Sequence, residues 1–436
     1  MSSPTRPALR PAAAAVEADP GDDTRSVPRR HRMSHNEQVL NYPIPSEAAL
    51  EPPAEWARLR RQCPVARVNL PSGDQASLLT RYEDVRQVLA DPRFTRLLNA
   101  DDAARLSADE SGGLFSSEMA QIIPDSGEEH QRWRRLVGKW FTAKRMTALR
   151  PAMTQMAEQL IDDMVKRGQP GELRAGLGFP LPVYVICDML GVPAGDRDRF
   201  AYWSDTLLNL TRYGQAEIDA AQAEFVQYMS GHIAAKRAEP GEDLLSELIA
   251  AGGADNGGLS DLQLLATGMG LLVAGHETTA NMIGKMVGML LADRTRWERL
   301  LADPSLVRTA VEEALRFDAN AGFGMPRYLR EESEVGGTVL PRGTTVVCSM
   351  AAANRDASVF DGADEMDLGR SPNPHLAFGA GAHSCLGQAL ARTELQVVLE
   401  VLLRRLPSLE LAVPAQELQR VEGLAIGGLR EIPVRW

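Results

Sequence analysis

The chain has 436 residues, 44% of them apolar, 5% aromatic and 24% charged, which excludes a disulfide mini-protein, a disordered polyelectrolyte and a collagen-like fibre. Lys plus Arg is 47 and Asp plus Glu is 58, a formal charge of -11, which argues against nucleic acid or an anionic membrane as the main partner. The cysteines Cys63, Cys187, Cys348 and Cys385 lie far apart with no CxxC pair, so neither a disulfide framework nor a zinc knuckle is signalled and a cytoplasmic setting fits.

Residues 1–35 are proline-rich, with a short alanine run from Ala12 to Ala15 but no apolar core of a leader peptide and no aromatic residue, and read as a disordered extension. A single folded domain is expected over 36–436. A strand is predicted at Ala76–Thr80, then a helix over Tyr82–Ala90. The long polar stretch from Arg96 to Gly127 suits a lid or mobile segment. Helical periodicity covers Glu129–Phe141, Met146–Lys166, Ala221–Lys236 and Asp261–Leu291. The most apolar run, Leu262–Ala274, gives way to His276 and Glu277, well short of the roughly 20 apolar residues of a membrane span. No membrane span is predicted. Extended sequence is confined chiefly to Gly337–Cys348, around Pro341-Arg342-Gly343, and to Arg430–Trp436. The fold class is therefore mainly α with small β-sheets (α+β), not an alternating βαβ array.

Chemistry is concentrated in Phe378-Gly379-Ala380-Gly381-Ala382-His383-Ser384-Cys385-Leu386-Gly387, which leads into a helix over Gln388–Leu402. Glycines at 379, 381 and 387 permit backbone angles or close approach that a Cβ forbids. The helix N-terminus favours a thiolate at Cys385, and a thiolate there is either a nucleophile or a metal ligand. The bland alternative is a small buried hydrophobe. His383 sits too close on the same loop to serve as the base of a cysteine protease.

The spacing Phe378-x-x-Gly381-x-x-x-Cys385-x-Gly387 resembles the haem-binding loop of the cytochrome P450 haem-thiolate monooxygenases. The resemblance implies the cytochrome P450 fold, haem b as cofactor, and Cys385 as the ligand of its iron. Further segments resemble the family. Glu313 and Arg316, in Glu312-Glu313-Ala314-Leu315-Arg316, are similar to its buried Glu-x-x-Arg motif, with Arg370 as third member of a structural triad; the helix carrying them is expected to open with Asp303 as N-cap and Pro304 first. Ala274-Gly275-His276-Glu277-Thr278-Thr279 resembles the distal segment over the haem, although by itself it reads equally as a kink in a core helix. The implied catalytic roles are that Thr278 hydrogen-bonds the activated dioxygen and Glu277, with ordered water, relays protons. Ala274 and Gly275 then flank the cofactor, and His276 packs between helices. His130, Arg134, Arg327 and His383 fall where the family contacts the haem propionates, while Phe378, Gly379 and Gly387 line the cofactor loop.

The expected reaction inserts one oxygen atom into a C–H or C=C bond of an apolar or amphipathic small molecule, a secondary metabolite. Electrons would come from an acidic ferredoxin and its reductase, docking on a patch of Arg132, Arg135, Lys139, Lys144 and Arg145. The enzyme is read as a monomer. Radical aryl or C–N coupling is the neighbouring alternative, and a non-catalytic haem sensor the alternative from another class. Substrate choice is assigned to the stretches 97–123, 180–227 and 320–325, with Gly270 and Val273.

Overall fold

The computed structural model describes residues 39–106, 122–208, 213–253, 257–318, 322–421 and 427–436. The expected extension over 1–35 lies outside them, and the substrate stretches at 97–123, 180–227 and 320–325 are described only in part. Val39–Trp436 form one compact unit.

Helices in chain order are α1 (Glu55–Gln62), α2 (Tyr82–Ala90), α3 (Gly127–Gly138), α4 (Ala143–Arg167), α5 (Pro180–Met189), α6 (Arg197–Leu208), α7 (Gln215–Ala238) and α8 (Leu244–Ala250). They continue as α9 (Asp261–Leu291), α10 (Arg294–Ala302), α11 (Val307–Phe317), α12 (Met350–Ala353) and α13 (Gln388–Arg405). The strands are β1 (Leu40–Asn41), β2 (Val65–Asn69), β3 (Gln75–Leu79), β4 (Phe94–Thr95), β5 (Gly171–Glu172) and β6 (Met325–Leu329), then β7 (Ser333–Val335), β8 (Thr338–Leu340), β9 (Thr345–Cys348), β10 (Glu410–Leu411) and β11 (Pro433–Arg435).

A mixed sheet runs β1-β2-β3-β9-β6-β4, a smaller one β10-β11-β5, and β7 pairs with β8. β6 lies antiparallel to β9 with Arg327 opposite Val346, which puts a charged residue on a strand whose last four residues are buried.

The long helix α9 runs through the main core and positions the rest. Ser260 and Gln263 exchange side-chain and backbone hydrogen bonds at its start, a reciprocal cap that satisfies two otherwise orphaned N–H groups. Its small residues admit close neighbours: a Cβ at Gly284 would stand 2.4 Å from Ile432 Cδ1, and one at Gly268 2.4 Å from Met229 Cε. Leucine at either site would push the carboxy-terminal segment or α7 away. α13 packs on α4, held at its rim by Arg150–Glu400 at 2.5 Å and by the pairs Arg404–Glu158 and Arg405–Asp162.

Two expectations are corrected here. Asp303 accepts from the Ser305 N–H and caps a 3-10 turn, Pro304–Leu306, so α11 itself begins only at Val307. Proline fits the first position of a tight turn as well as that of an α-helix, and the sequence does not separate them. The periodic segment ending at Phe141 divides into α3 and a 3-10 turn, Lys139–Phe141.

Candidate active site

The cysteine loop is built by its own backbone. Cys385 N–H donates to the Phe378 carbonyl at 2.8 Å, and Ser384 N–H to that of Gly381 at 3.1 Å. Gly379 and Gly381 have φ of 70° and 71°, values that L side chains rarely adopt. At Gly381 a Cβ would also stand 2.6 Å from Ala90 Cα, so the loop lies directly against the end of α2. Gly387 differs, with an ordinary φ of -83° and open space where a Cβ would go.

Cys385 keeps contact with solvent, yet enough protein surrounds the thiol for burial to raise its pKa, opposed by the Gly387 N–H and by Arg134 and Arg392. Arg392 lies 4.4 Å from the Phe378 ring centroid and pairs with Glu312 at 2.7 Å. His375 also reaches Glu312, at 3.0 Å. Burial alone would raise the Glu312 carboxyl, but His375 and Arg392 bring it down to about 2. This brace was not read from the sequence; its one visible sign was the doubled acid Glu312-Glu313.

Basic groups gather beside the loop. Arg134, on α3, donates Nη2 to the Ser384 carbonyl at 2.9 Å, and the rings of His130 and His383 are 4.6 Å apart. Arg327 is only 5% exposed; it donates to the Pro326 carbonyl at 2.8 Å and, among the described residues, has no carboxylate within ion-pair distance. Asp125, which pairs with Arg96 at 2.8 Å and approaches His383 at 4.0 Å, was not anticipated, and neither was Arg96. Burial, reinforced by the neighbouring arginines, lowers His130 and takes His383 to about 4, so both rings are neutral near pH 7. The cluster holds more cationic charge than Asp125 balances.

On α9 the side chains around Ala274 divide by face. Ala274 is exposed between buried Val273 and buried His276 and Glu277, while Gly275 and Thr278 are half-buried. Thr278 donates its hydroxyl to the Ala274 carbonyl at 2.8 Å. Glu277 Oε1 accepts from Asn281 at 3.3 Å and lies 3.8 Å from Arg174, whereas Oε2 has no hydrogen-bond partner. Burial raises the Glu277 pKa, partly offset by Arg174. Trp133 donates to Thr267 Oγ1 at 2.9 Å. α3 therefore touches α9 through Trp133 and the cysteine loop through Arg134.

Glu313, Arg316 and Arg370 come together. Arg316 makes a two-pronged bond to Glu313 at 2.7 and 2.8 Å, Arg370 Nε lies 3.1 Å from Glu313, and the Asp367 N–H and Asn373 amide complete the carboxylate's set. The remaining Arg316 donors reach the carbonyls of Asn354, Ala363 and Glu365.

A family profile described as Cytochrome P450 matches residues 199–416. The chain is 42% identical over 400 residues to nocardicin C N-oxygenase of Nocardia uniformis subsp. tsuyamanensis, spanning 91% of this chain and 98% of that one. It is 41% identical over 398 residues to mycinamicin IV hydroxylase/epoxidase of Micromonospora griseorubida, spanning 91% and 98%. The crystal structure of SgvP, described as a putative thioether synthase in a tailoring step of griseoviridin, superposes with a TM-score of 0.85 at 38% identity, covering 92% of this chain and all of that one. The LnmA cytochrome P450 hydroxylase of the leinamycin pathway of Streptomyces atroolivaceus superposes at 0.83 with 39% identity, covering 91% and 100%. The chain belongs to the cytochrome P450 family and is one of its monooxygenases. No described helix is long and apolar enough to cross a membrane.

The family implies haem, and the residues fit it. Buried Arg327, with no carboxylate in ion-pair distance among the described residues and close enough to His383 to act on its charge, suits the two propionates together with Arg134 and the paired rings of His130 and His383. The missing Cβ at Gly387 leaves room for a flat macrocycle against the loop, and Cys385 offers the soft sulfur that iron accepts.

Proposed function

We propose that this monooxygenase inserts one atom of dioxygen into a C–H or C=C bond of an apolar or amphipathic small molecule, a secondary metabolite. It draws electrons from a separate acidic ferredoxin and ferredoxin reductase, and works as a cytoplasmic monomer. The observation that carries the reading is one turn of α9: an exposed alanine inside a buried helix, a hydroxyl one turn later, and a buried carboxyl with an uncommitted oxygen. The relatives' names, an N-oxygenase and a hydroxylase/epoxidase, support insertion over coupling.

Haem b, held through Cys385, supplies the iron at which dioxygen is activated. Every other contribution is made by side chains. Arg134 and Arg327 would bind the propionates by charge, with the ring N–H groups of His130 and His383 donating to them. The Gly387 N–H bonds the Cys385 sulfur and favours its thiolate form. A hydroxyl has one donor and two acceptor lone pairs. With its proton committed to Ala274, Thr278 Oγ1 keeps lone pairs free to receive a proton-bearing group. Burial keeps Glu277 protonated further towards neutral pH than an exposed glutamate, and its free Oε2 is placed to pass that proton through water.

Exposed Arg135 on α3, Lys139 just after it and Lys144 in the first turn of α4 form the ferredoxin-facing surface. Arg145 is less available, because it pairs with Glu247 at 2.6 Å and lies 3.8 Å from the Trp140 ring centroid.

The test is turnover under isotopic dioxygen with a surrogate ferredoxin and reductase, on compounds first selected by a ligand-induced spin-state change. One labelled oxygen atom in the product is expected, with Thr278→Ala diverting most electrons into hydrogen peroxide. Products formed by coupling, with no labelled atom, would overturn the insertion reading.

A further inference from the structure

The roles above leave unused a fully buried imidazole one residue before the acid. His276 is 0% exposed. Its Nε2 lies 3.1 Å from the Phe179 carbonyl and its Nδ1 2.7 Å from Ser204 Oγ. A carbonyl only accepts, so Nε2 carries the proton and Nδ1 accepts from the serine hydroxyl. Ser204, like His276, has no solvent exposure. The ring thus joins three elements: α9, the residue opening α5, and the middle of α6.

Both ends of this strut adjoin a charge that bears on Glu277. Phe179 lies edge-on to the imidazole at 4.2 Å, and the Arg174 guanidinium sits 5.3 Å from the same phenyl ring while reaching within 3.8 Å of Glu277 Oε1. Ser204 directly precedes Asp205, whose charge acts on Glu277 in the sense opposite to Arg174. The backbone of the Arg174 turn is itself pinned, because Glu172 accepts from the N–H groups of Arg174 and Ile432 at 2.9 and 2.8 Å. On the α6 side Ser204 meets α9 through its bond to His276, and Asp205 accepts from the Tyr213 hydroxyl at 2.5 Å.

We propose that His276 is a positioning residue for proton delivery: a neutral strut that sets the distance of α6 and of the Phe179 turn from α9, and so fixes Arg174 and Asp205 about the Glu277 carboxyl. A shift of α6, which carries part of the stretch assigned to substrate choice and packs on α9, then reaches the acid through the polar contact of Ser204 with His276. The proposal rests on the reading that Glu277 handles protons.

The experiment uses the substrate-free holoenzyme with a surrogate ferredoxin and reductase. Its electrons then go only to dioxygen, giving hydrogen peroxide when two protons are delivered and water when four are. His276→Leu and Ser204→Ala are expected to raise the peroxide share several-fold, with haem content and the reduced carbonyl spectrum unchanged. His276→Gln, whose amide offers one acceptor and one donor, is expected to restore the native share within about twofold. Hydrogen exchange of the α6 amides rises with His276→Leu and returns with His276→Gln. In a Glu277→Gln background, His276→Leu adds nothing further. Equal effects of His276→Leu in both backgrounds, or a native peroxide share in Ser204→Ala, would overturn the proposal, and the serine variant decides should the leucine variant fail to fold. A native peroxide share in Glu277→Gln alone would instead overturn the parent reading of that acid, and this proposal with it.

Discussion

Arg134 Nη2 donates to the Ser384 carbonyl at 2.9 Å, fastening α3 to the residue next to the cysteine. The same guanidinium opposes the burial that raises the Cys385 thiol and belongs to the cation cluster assigned to the propionates. Arg134→Leu removes both contributions. A hydrogen bond to a charged group is worth roughly 1.5–3 kcal/mol, so haem should transfer to a scavenging globin about ten to a hundred times faster. An unchanged transfer rate would place the propionates elsewhere.

Cys385→Ala should abolish the thiolate-type red shift of the reduced carbonyl complex. The loop itself should persist, because its hydrogen bonds are made by backbone groups, Cys385 N–H to Phe378 and Ser384 N–H to Gly381. The readout is the reduced carbonyl spectrum beside the far-UV signal of the same sample. A retained red shift would mean another sulfur holds the iron.

The triad members should not be equivalent. Arg316→Leu leaves Glu313 without its two-pronged partner and strips donors from the buried carbonyls of Asn354 and Ala363 and from the half-buried one of Glu365, and breaking a buried pair costs about 3–5 kcal/mol. Arg370→Leu leaves Glu313 with Arg316, the Asp367 N–H and the Asn373 amide, so its cost should be well under that. Denaturant midpoints of the two variants settle the ranking. Equal losses would mean that the third arm is as necessary as the first.

Local signals were legible wherever one residue type had a single mechanical reason to stand. Asp261–Leu291 is the helix that periodicity predicts, and the strand expected at Ala76–Thr80 is observed at Gln75–Leu79. Gly381 illustrates the site: loop chemistry asks for glycine, and the approach of Ala90 supplies a second reason that no local pattern holds. Asp125, Arg96 and the Glu312–His375–Arg392 brace stayed hidden, because their partners are 29, 63 and 80 residues away and an isolated charge in sequence looks like a solvated one. Helix α6 was missed for another reason: its apolar residues Phe200 and Trp203 pack among aromatic neighbours from α7, contacts that periodicity alone does not reveal.

Arg135→Glu with Lys139→Glu should slow reduction by an acidic ferredoxin about tenfold at low ionic strength. Both residues are exposed, so the effect should shrink as salt screens the attraction over a Debye length of about 10 Å at 0.1 M. Stopped-flow reduction across a salt series reads it. A rate unchanged in both size and salt dependence would remove this surface from electron transfer.

Glu394 on α13 is 1% exposed, and its two carboxyl oxygens both lack a hydrogen-bond partner among the described residues. Burial alone pushes its pKa from 4.5 up to about 8. Between those values the folded chain keeps a proton that the unfolded chain releases, so rising pH favours unfolding, by up to about 1.4 kcal/mol per pH unit. Below pH 4.5 both states are protonated and the penalty vanishes; above about 8 both are ionised and it stops growing. Glu394→Gln keeps the shape and removes the titration. Its melting temperature should match the parent near pH 5 and exceed it increasingly towards pH 8. His276, lowered to about 3 by burial, acts on the other side of neutrality: its penalty appears as pH falls below 6.5, where the unfolded chain takes up a proton that the folded ring refuses. The glutamine variant should therefore flatten the alkaline limb of the stability profile and leave the acid limb in place. Parallel profiles for parent and variant would mean that Glu394 is ionised in the fold, with a partner for its charge.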